Sequence, residues 1–189
     1  MLPVTLRNVE AALRAGTLAP GKVSDLQPKT DAETINGLRK VQRFDGWQVP
    51  RALAQAEVKQ PLPTPLDKDG QDWVQGRMVS LLAGQANVKT VDLPKPVNND
   101  PRPFEVVGIP LAPGFHVVEI ASQVLGKSLL DARHGAQRTM YVRTSVLATN
   151  LGVHFKLGRE NAMAWVTTLD KGQPVAGATV RVSDCNGKL

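Results

Sequence analysis

From Leu147 to Leu157 apolar positions alternate with small or polar ones. Leu147, Thr149, Leu151, Val153, Phe155 and Leu157 fall on one side. Ala148, Asn150, Gly152, His154 and Lys156 fall on the other. Period two over this span predicts a half-buried β-strand, bent at Gly152. Residues 3–9, 88–93, 104–109, 115–121 and 162–169 also read as strands, and 178–184 alternates with Val180 and Val182 on one face. The 115–121 strand is apolar on both faces, Phe115 and Val117 against Val118 and Ile120, and is expected to be central and covered on both sides. Residues 110–114 read as a hairpin turn between 104–109 and 115–121, and residues 170–173 as the turn after 162–169. Asn186-Gly187 predicts a type I′ hairpin turn. Only Lys188 and Leu189 follow it, so the strand across that turn is expected to be missing.

One stretch breaks the β pattern. Thr30-Asp-Ala-Glu33 has the form of a capping box. Ala32, Ile35, Leu38, Val41 and Phe44 follow at three-residue spacing, predicting an amphipathic helix to about Asp45-Gly46. Pro50 opens a second short helix to Val58. Residues 16–29, 60–72 and 94–103 read as loops, 123–138 as a charged connection, and 73–83 has no decisive period. Strands at this spacing with Gly/Pro turns predict a mainly β protein of the antiparallel sandwich class. The expected division lies near 139–146. Residues 1–140 would form one sandwich with a helical insertion near 30–58. Residues 141–189 would begin a second, with too few strands to close it.

Composition agrees: 14 Pro, 16 Gly and 4% aromatics in 189 residues describe a turn-rich chain. The net charge of +6 is scattered, without a Lys/Arg run beside stacking aromatics. That argues against nucleic acid as a partner. No apolar run approaches the roughly 20 residues of a membrane span, and no direct membrane contact is expected.

The chemistry-bearing residues do not converge. His116 and His154 sit on different strands and His134 in the charged connection, so no metal site is expected. Asp67, Asp69 and Asp72 with Gly70 lack the closing Glu of a calcium loop. Ser128, Ser145 and Ser183 sit in no nucleophile elbow. No phosphate-binding loop appears, and no cofactor is expected. The apolar stripe of the 31–45 helix reads as packing on its own domain, with a docking face as the alternative. The single cysteine, Cys185, excludes an internal disulfide. It stands either as a free thiol or as half of a disulfide to sequence outside this chain.

The segments "RPFEVVGIPLAPGFHVVEIAS" (102–122), "LGKSLL" (125–130), "YVRTSVLATNLGVHFKLGREN" (141–161) and "WVTTLDKGQPVAGATVRVSDCNGK" (165–188) together resemble the bacterial alpha-2-macroglobulins. In that family β-sandwich macroglobulin domains are strung in series. "PLAPGFHVVEI" resembles the close of one domain and "TNLGVHFK" the opening strand of the next. The resemblance implies a non-catalytic structural segment of a periplasmic endopeptidase trap, whose parent can be anchored to the membrane by a lipid. Its partners would be neighbouring macroglobulin domains, and proteases through the whole parent. Many members carry a thioester in a Cys-x-Glu-Gln motif. Cys185 is followed by Asn186, Gly187 and Lys188, so no thioester and no catalytic residue is assigned here. The rival reading is an adhesion or cell-wall-binding sandwich module, which uses the same generic strand pattern.

Overall fold

The computed structural model describes residues 1–7, 19–64, 72–95, 102–130 and 138–188. The elements run β1 (Leu2–Arg7), β2 (Lys22–Leu26), α1 (Asp31–Phe44), β3 (Val49–Pro50), α2 (Arg51–Glu57), β4 (Trp73–Val74), a 3-10 turn (Gly76–Met78), β5 (Lys89–Asp92), β6 (Phe104–Ile109), β7 (Gly114–Ser122), α3 (Gln123–Leu129), β8 (Met140–Ala148), β9 (Leu151–Leu157) and β10 (Ala162–Thr168).

Two sheets make the sandwich. β1 pairs antiparallel with β6, Leu2 opposite Ile109 and Arg7 opposite Phe104. The second sheet has the order β5-β2-β7-β8. Val4 and Leu6 of β1 and Ile109 of β6 pack onto Val23, Leu93 and Val118, and these buried residues form the inter-sheet core. The opposite face of the four-stranded sheet is covered by the helical insertion. Phe44, Val49, Ala54, Val58, Val74, Val79, Leu81 and Leu82 close over Val117 there. β7 is thus central in its sheet and apolar on both faces: Val117 faces the helices, Val118 the other sheet. That double burial explains why its sequence reads as a near-continuous apolar run.

α1 begins as its sequence predicts. Thr30 Oγ1 accepts from Glu33 N at 3.2 Å, and Glu33 Oε2 accepts from Thr30 N at 3.3 Å. The ambiguous 73–83 stretch is a short strand, a 3-10 turn and a buried irregular segment. A Cβ at Gly76 would collide with the carbonyl oxygen of Phe44, so only glycine lets this segment close on the end of α1.

Several expectations are corrected. Lys22–Leu26, read as loop, is a strand sandwiched between β5 and β7, because Val23 buries its side chain in the inter-sheet core. Residues 104–109 and 115–121 are not hairpin partners: β6 joins β1, and β7 joins β2 and β8. The alternating run at 147–157 is two strands, broken at Thr149-Asn150. Residues Met140–Ala148, at the expected division near 139–146, form β8 and pair with β7.

β9 and β10 form a separate two-stranded ladder, Leu157 opposite Ala162 and Leu151 opposite Thr168. Their shared apolar face is open: Val153 is 61% and Leu157 79% exposed, not half-buried as predicted. Residues 178–184 do not complete a third strand. The ladder is extended instead by an isolated bridge, Thr167 to Pro174, flanked by Thr168 N to Gln173 O and Val175 N to Val166 O, each at 2.9 Å. The Asn186-Gly187 turn is present in another form. Gly187 has φ 81°, but Asn186 does not have positive φ. Asp184 N donates to Lys188 O at 2.8 Å across a three-residue loop. This is the hairpin loop with one left-handed glycine, not type I′.

Candidate functional site

The densest polar chemistry lies beneath the helical insertion. Glu119 of β7 and Arg143 of β8 stand directly opposite each other in register. Their side chains are 3% and 2% exposed. The Arg143 guanidinium donates to three carbonyl oxygens: Phe44 at 2.8 Å, Gly76 at 2.9 Å and Val79 at 2.6 Å. Its Nε faces Glu119 Oε2 at 3.5 Å, an ion pair without a hydrogen bond. Glu119 in turn accepts from Leu81 N at 2.8 Å and from the Ser80 hydroxyl. Ser80 Oγ accepts from Ala83 N at 2.9 Å.

Each contact has a local cause. The Phe44 carbonyl at the end of α1 and the Val79 carbonyl just past the 3-10 turn lie where helix ends leave acceptors open, while the Gly76 carbonyl also accepts from Val79 N at 3.2 Å. A guanidinium with five donors in a fixed fork satisfies several of them at once. Glu119 supplies the countercharge that a buried cation requires. The cluster thus ties the end of α1 at Phe44 and the 76–81 segment to β7 and β8 of one sheet. Burial pushes the Arg143 guanidinium below its ordinary value, opposed by Glu119 and Asp45. Neighbouring Tyr141 is pushed up, first by burial and then by the Glu119 charge.

A second buried pair lies on the other face of β7. His116 is 1% exposed. Its Nδ1 is 2.8 Å from Asp25 Oδ1 on β2, and its Nε2 is 2.8 Å from Ala112 O. Both partners offer acceptor oxygens, so a proton on either ring nitrogen finds a partner.

These groups are used up in holding the fold together. Ser80 donates to Glu119, yet His116 is across the sheet, so no Ser–His–acid relay assembles from them. Among the described residues no group of three His, Cys, Asp or Glu is placed to hold a metal ion. His154 lies exposed on β9. Cys185 is a free, exposed thiol in the 184–188 turn. Ser145 lies on β8 and Ser183 in the tail. Asp72 is exposed, and its carbonyl accepts from Arg51 N at 2.7 Å. Asp67, Asp69, Gly70 and His134 lie outside the described residues. No helix among the described residues is long and apolar enough to cross a membrane.

Sequence reasoning missed Glu119 and Arg143. The signal was present: each is a single charge inside an otherwise apolar strand, "VVEIA" and "YVRTSV". A charge there needs a partner on the adjacent strand.

Residues 148–189 match the family model of the bacterial alpha-2-macroglobulin MG3 domain. Over those residues the chain is similar to that domain of the bacterial alpha-2-macroglobulins. The MG3 match begins at Ala148, the last residue of β8, and takes in β9, β10 and the tail. The antiparallel, mainly β architecture agrees with a macroglobulin-like sandwich. No curated protein and no solved structure matches the chain.

Proposed function

We propose that this chain is a non-catalytic scaffold of an alpha-2-macroglobulin-like protease inhibitor, an endopeptidase trap of the bacterial periplasm. The MG3 match over 148–189 carries the reading. The buried anchors support it, because they consume their polar groups in fixing one domain's layers. Cys185 stands on an exposed turn before Asn186-Gly187-Lys188, without the Gln that a thioester needs. On this reading trapping belongs to a longer polypeptide. The chain's partners are its neighbouring macroglobulin domains, and it meets proteases only through the whole.

The test has two arms. A large excess of the isolated chain leaves endopeptidase hydrolysis of a protein substrate unchanged and incorporates no methylamine. An antibody raised against it detects, in the periplasmic fraction, a polypeptide well above 20.4 kDa that retains added endopeptidase. Stoichiometric inhibition by the chain alone overturns the reading. So does detection of only a 20.4 kDa species in the cytoplasm.

A further inference from the structure

An open cleft of about 290 Å³ lies between α1 and the loop at 81–87. Its floor is apolar, with Leu81, Leu82 and Val117 contributing. Its rim is basic, with Lys29, Lys40 and Lys59 against Glu33 as the one acidic residue lining it. The Glu33 carboxylate is committed to the helix cap, where Oε2 accepts from Lys29 N at 2.7 Å and from Thr30 N. Lys40 Nζ is held at 3.2 Å from the Glu57 carbonyl, a neutral acceptor. The Glu57 carboxylate itself pairs with Arg43. The positive charge of the rim is therefore not cancelled by its acidic neighbours. Asn87 in the cleft wall has φ 61°, the one non-glycine residue in the left-handed region among those described.

We propose that this cleft binds an extended peptide segment of a partner protein in which an acidic residue stands beside an apolar one. A cavity near 300 Å³ is at the lower end of ligand pockets, with room for one or two side chains. An apolar side chain would cover the leucine floor while the acidic one meets the lysines. A small inorganic anion would leave the floor unused. Single-stranded nucleic acid would need stacking aromatics, and no aromatic side chain lines the cleft among the described residues. This goes beyond the scaffold reading and holds whether or not the parent traps proteases.

The test is selection from a random heptapeptide library displayed on phage, with the chain as target. A synthetic peptide of the enriched sequence is then titrated against 15N-labelled chain. Enriched sequences should pair Asp or Glu with an apolar neighbour. The peptide should shift the amides of Asn36, Lys40, Gln85 and Asn87. The double variant Lys29→Glu/Lys59→Glu, at exposed positions that leave folding intact, should raise Kd by about tenfold or more, as two attractions become repulsions. Asn36→Trp should fill the cleft and abolish the shifts. No enrichment, enrichment of basic sequences, shifts confined to β9 and β10, or an unchanged Kd in the lysine variant would each overturn the proposal.

Discussion

β7 and β9 carry comparable patterns and meet opposite fates. Each sets one histidine among apolar residues: Phe115, His116, Val117 and Val118 in β7, and Val153, His154 and Phe155 in β9. In β7, Val118 is 1% exposed and His116 is locked between Asp25 and Ala112. In β9, Val153 is 61% exposed and His154 faces solvent. The difference lies in what covers each strand. β7 has strands on both edges, a second sheet on one face and helices on the other. β9 has one neighbour, β10. Alternation specifies which face of a strand is apolar. It does not specify whether anything lies against that face.

The comparison is tested hardest at Arg143. Replacing it with Ala leaves Glu119 as a buried, uncompensated charge and strips partners from three carbonyls. Breaking a buried ion pair from one side costs about 3–5 kcal/mol. Denaturant unfolding followed by tryptophan fluorescence should show that loss. Lys156→Ala on exposed β9 should stay within about 0.5 kcal/mol of the parent. A loss under about 1 kcal/mol at Arg143 would mean that the insertion is held by apolar packing alone.

Next in size is the paired truncation Val118→Ala and Val153→Ala. The first removes two methyl groups from the closed inter-sheet core. It should cost about 2–3 kcal/mol, counting transfer and residual cavity. The second removes the same atoms from an open face and should change stability by less than about 0.5 kcal/mol. Equal losses would show that the β9–β10 face is covered in solution.

Much of the body was legible in the sequence, and for local reasons. The capping box at Thr30 and Glu33 and the stripe ending in Phe44 are short-range features, and α1 follows from them. The double burial of β7 was legible from Phe115 and Val117 set against Val118 and Ile120. Strand pairing was not legible. The turn at 110–114 suggested a hairpin, but β6 packs on β1, about a hundred residues earlier in the chain. Nothing local encodes that choice. β2 was hidden by the Pro and Gly that flank it. The anchor network was hidden because Glu119 and Arg143 meet only once β7 and β8 are in register. At the C-terminal turn the sequence located the turn correctly. The Asp184 side chain, which caps the loop, decided its geometry.

His116 is the third test, and here structure and pattern disagree. Its place beside Phe115 and ahead of two valines suggests a substitution with little cost. Its burial says otherwise. His116→Ala would remove a partner from the partly exposed Asp25 carboxylate and from the carbonyl of exposed Ala112, and would leave a void where the buried ring sat, at about 1–3 kcal/mol. His154→Ala, on the exposed strand with the same pattern, should be neutral. Asp25→Asn should cost less than His116→Ala, because the amide oxygen still accepts from the ring. If His116→Ala proves as mild as His154→Ala, water replaces the imidazole and the pair is dispensable.

The smallest expected effect separates the two regions by pH. In the body, the raised Tyr141 hydroxyl contributes stability that is present below its ordinary value of 10.0. That contribution is lost as pH rises through the folded value. In the tail the sign reverses. The Asp184 carboxylate accepts from Asn186 N at 2.8 Å and Lys188 N at 2.9 Å. These amides, Lys188 first and Asn186 next, hold its carboxyl below the ordinary 3.8. The turn is therefore favoured above 3.8 and loosens as pH falls through the depressed folded value. An NMR titration from about pH 6 to about pH 2 should show the Asp184 carboxyl protonating below its usual range. The Lys188 and Gly187 amide resonances should move with it, while Val118 on β7 holds its position over the same steps. Asp184→Ala should remove the tail's transition and leave the body's alkaline limb intact. An Asp184 carboxyl that titrates at its ordinary value would show that the side-chain cap does not form. The three-residue loop would then rest on Gly187 alone.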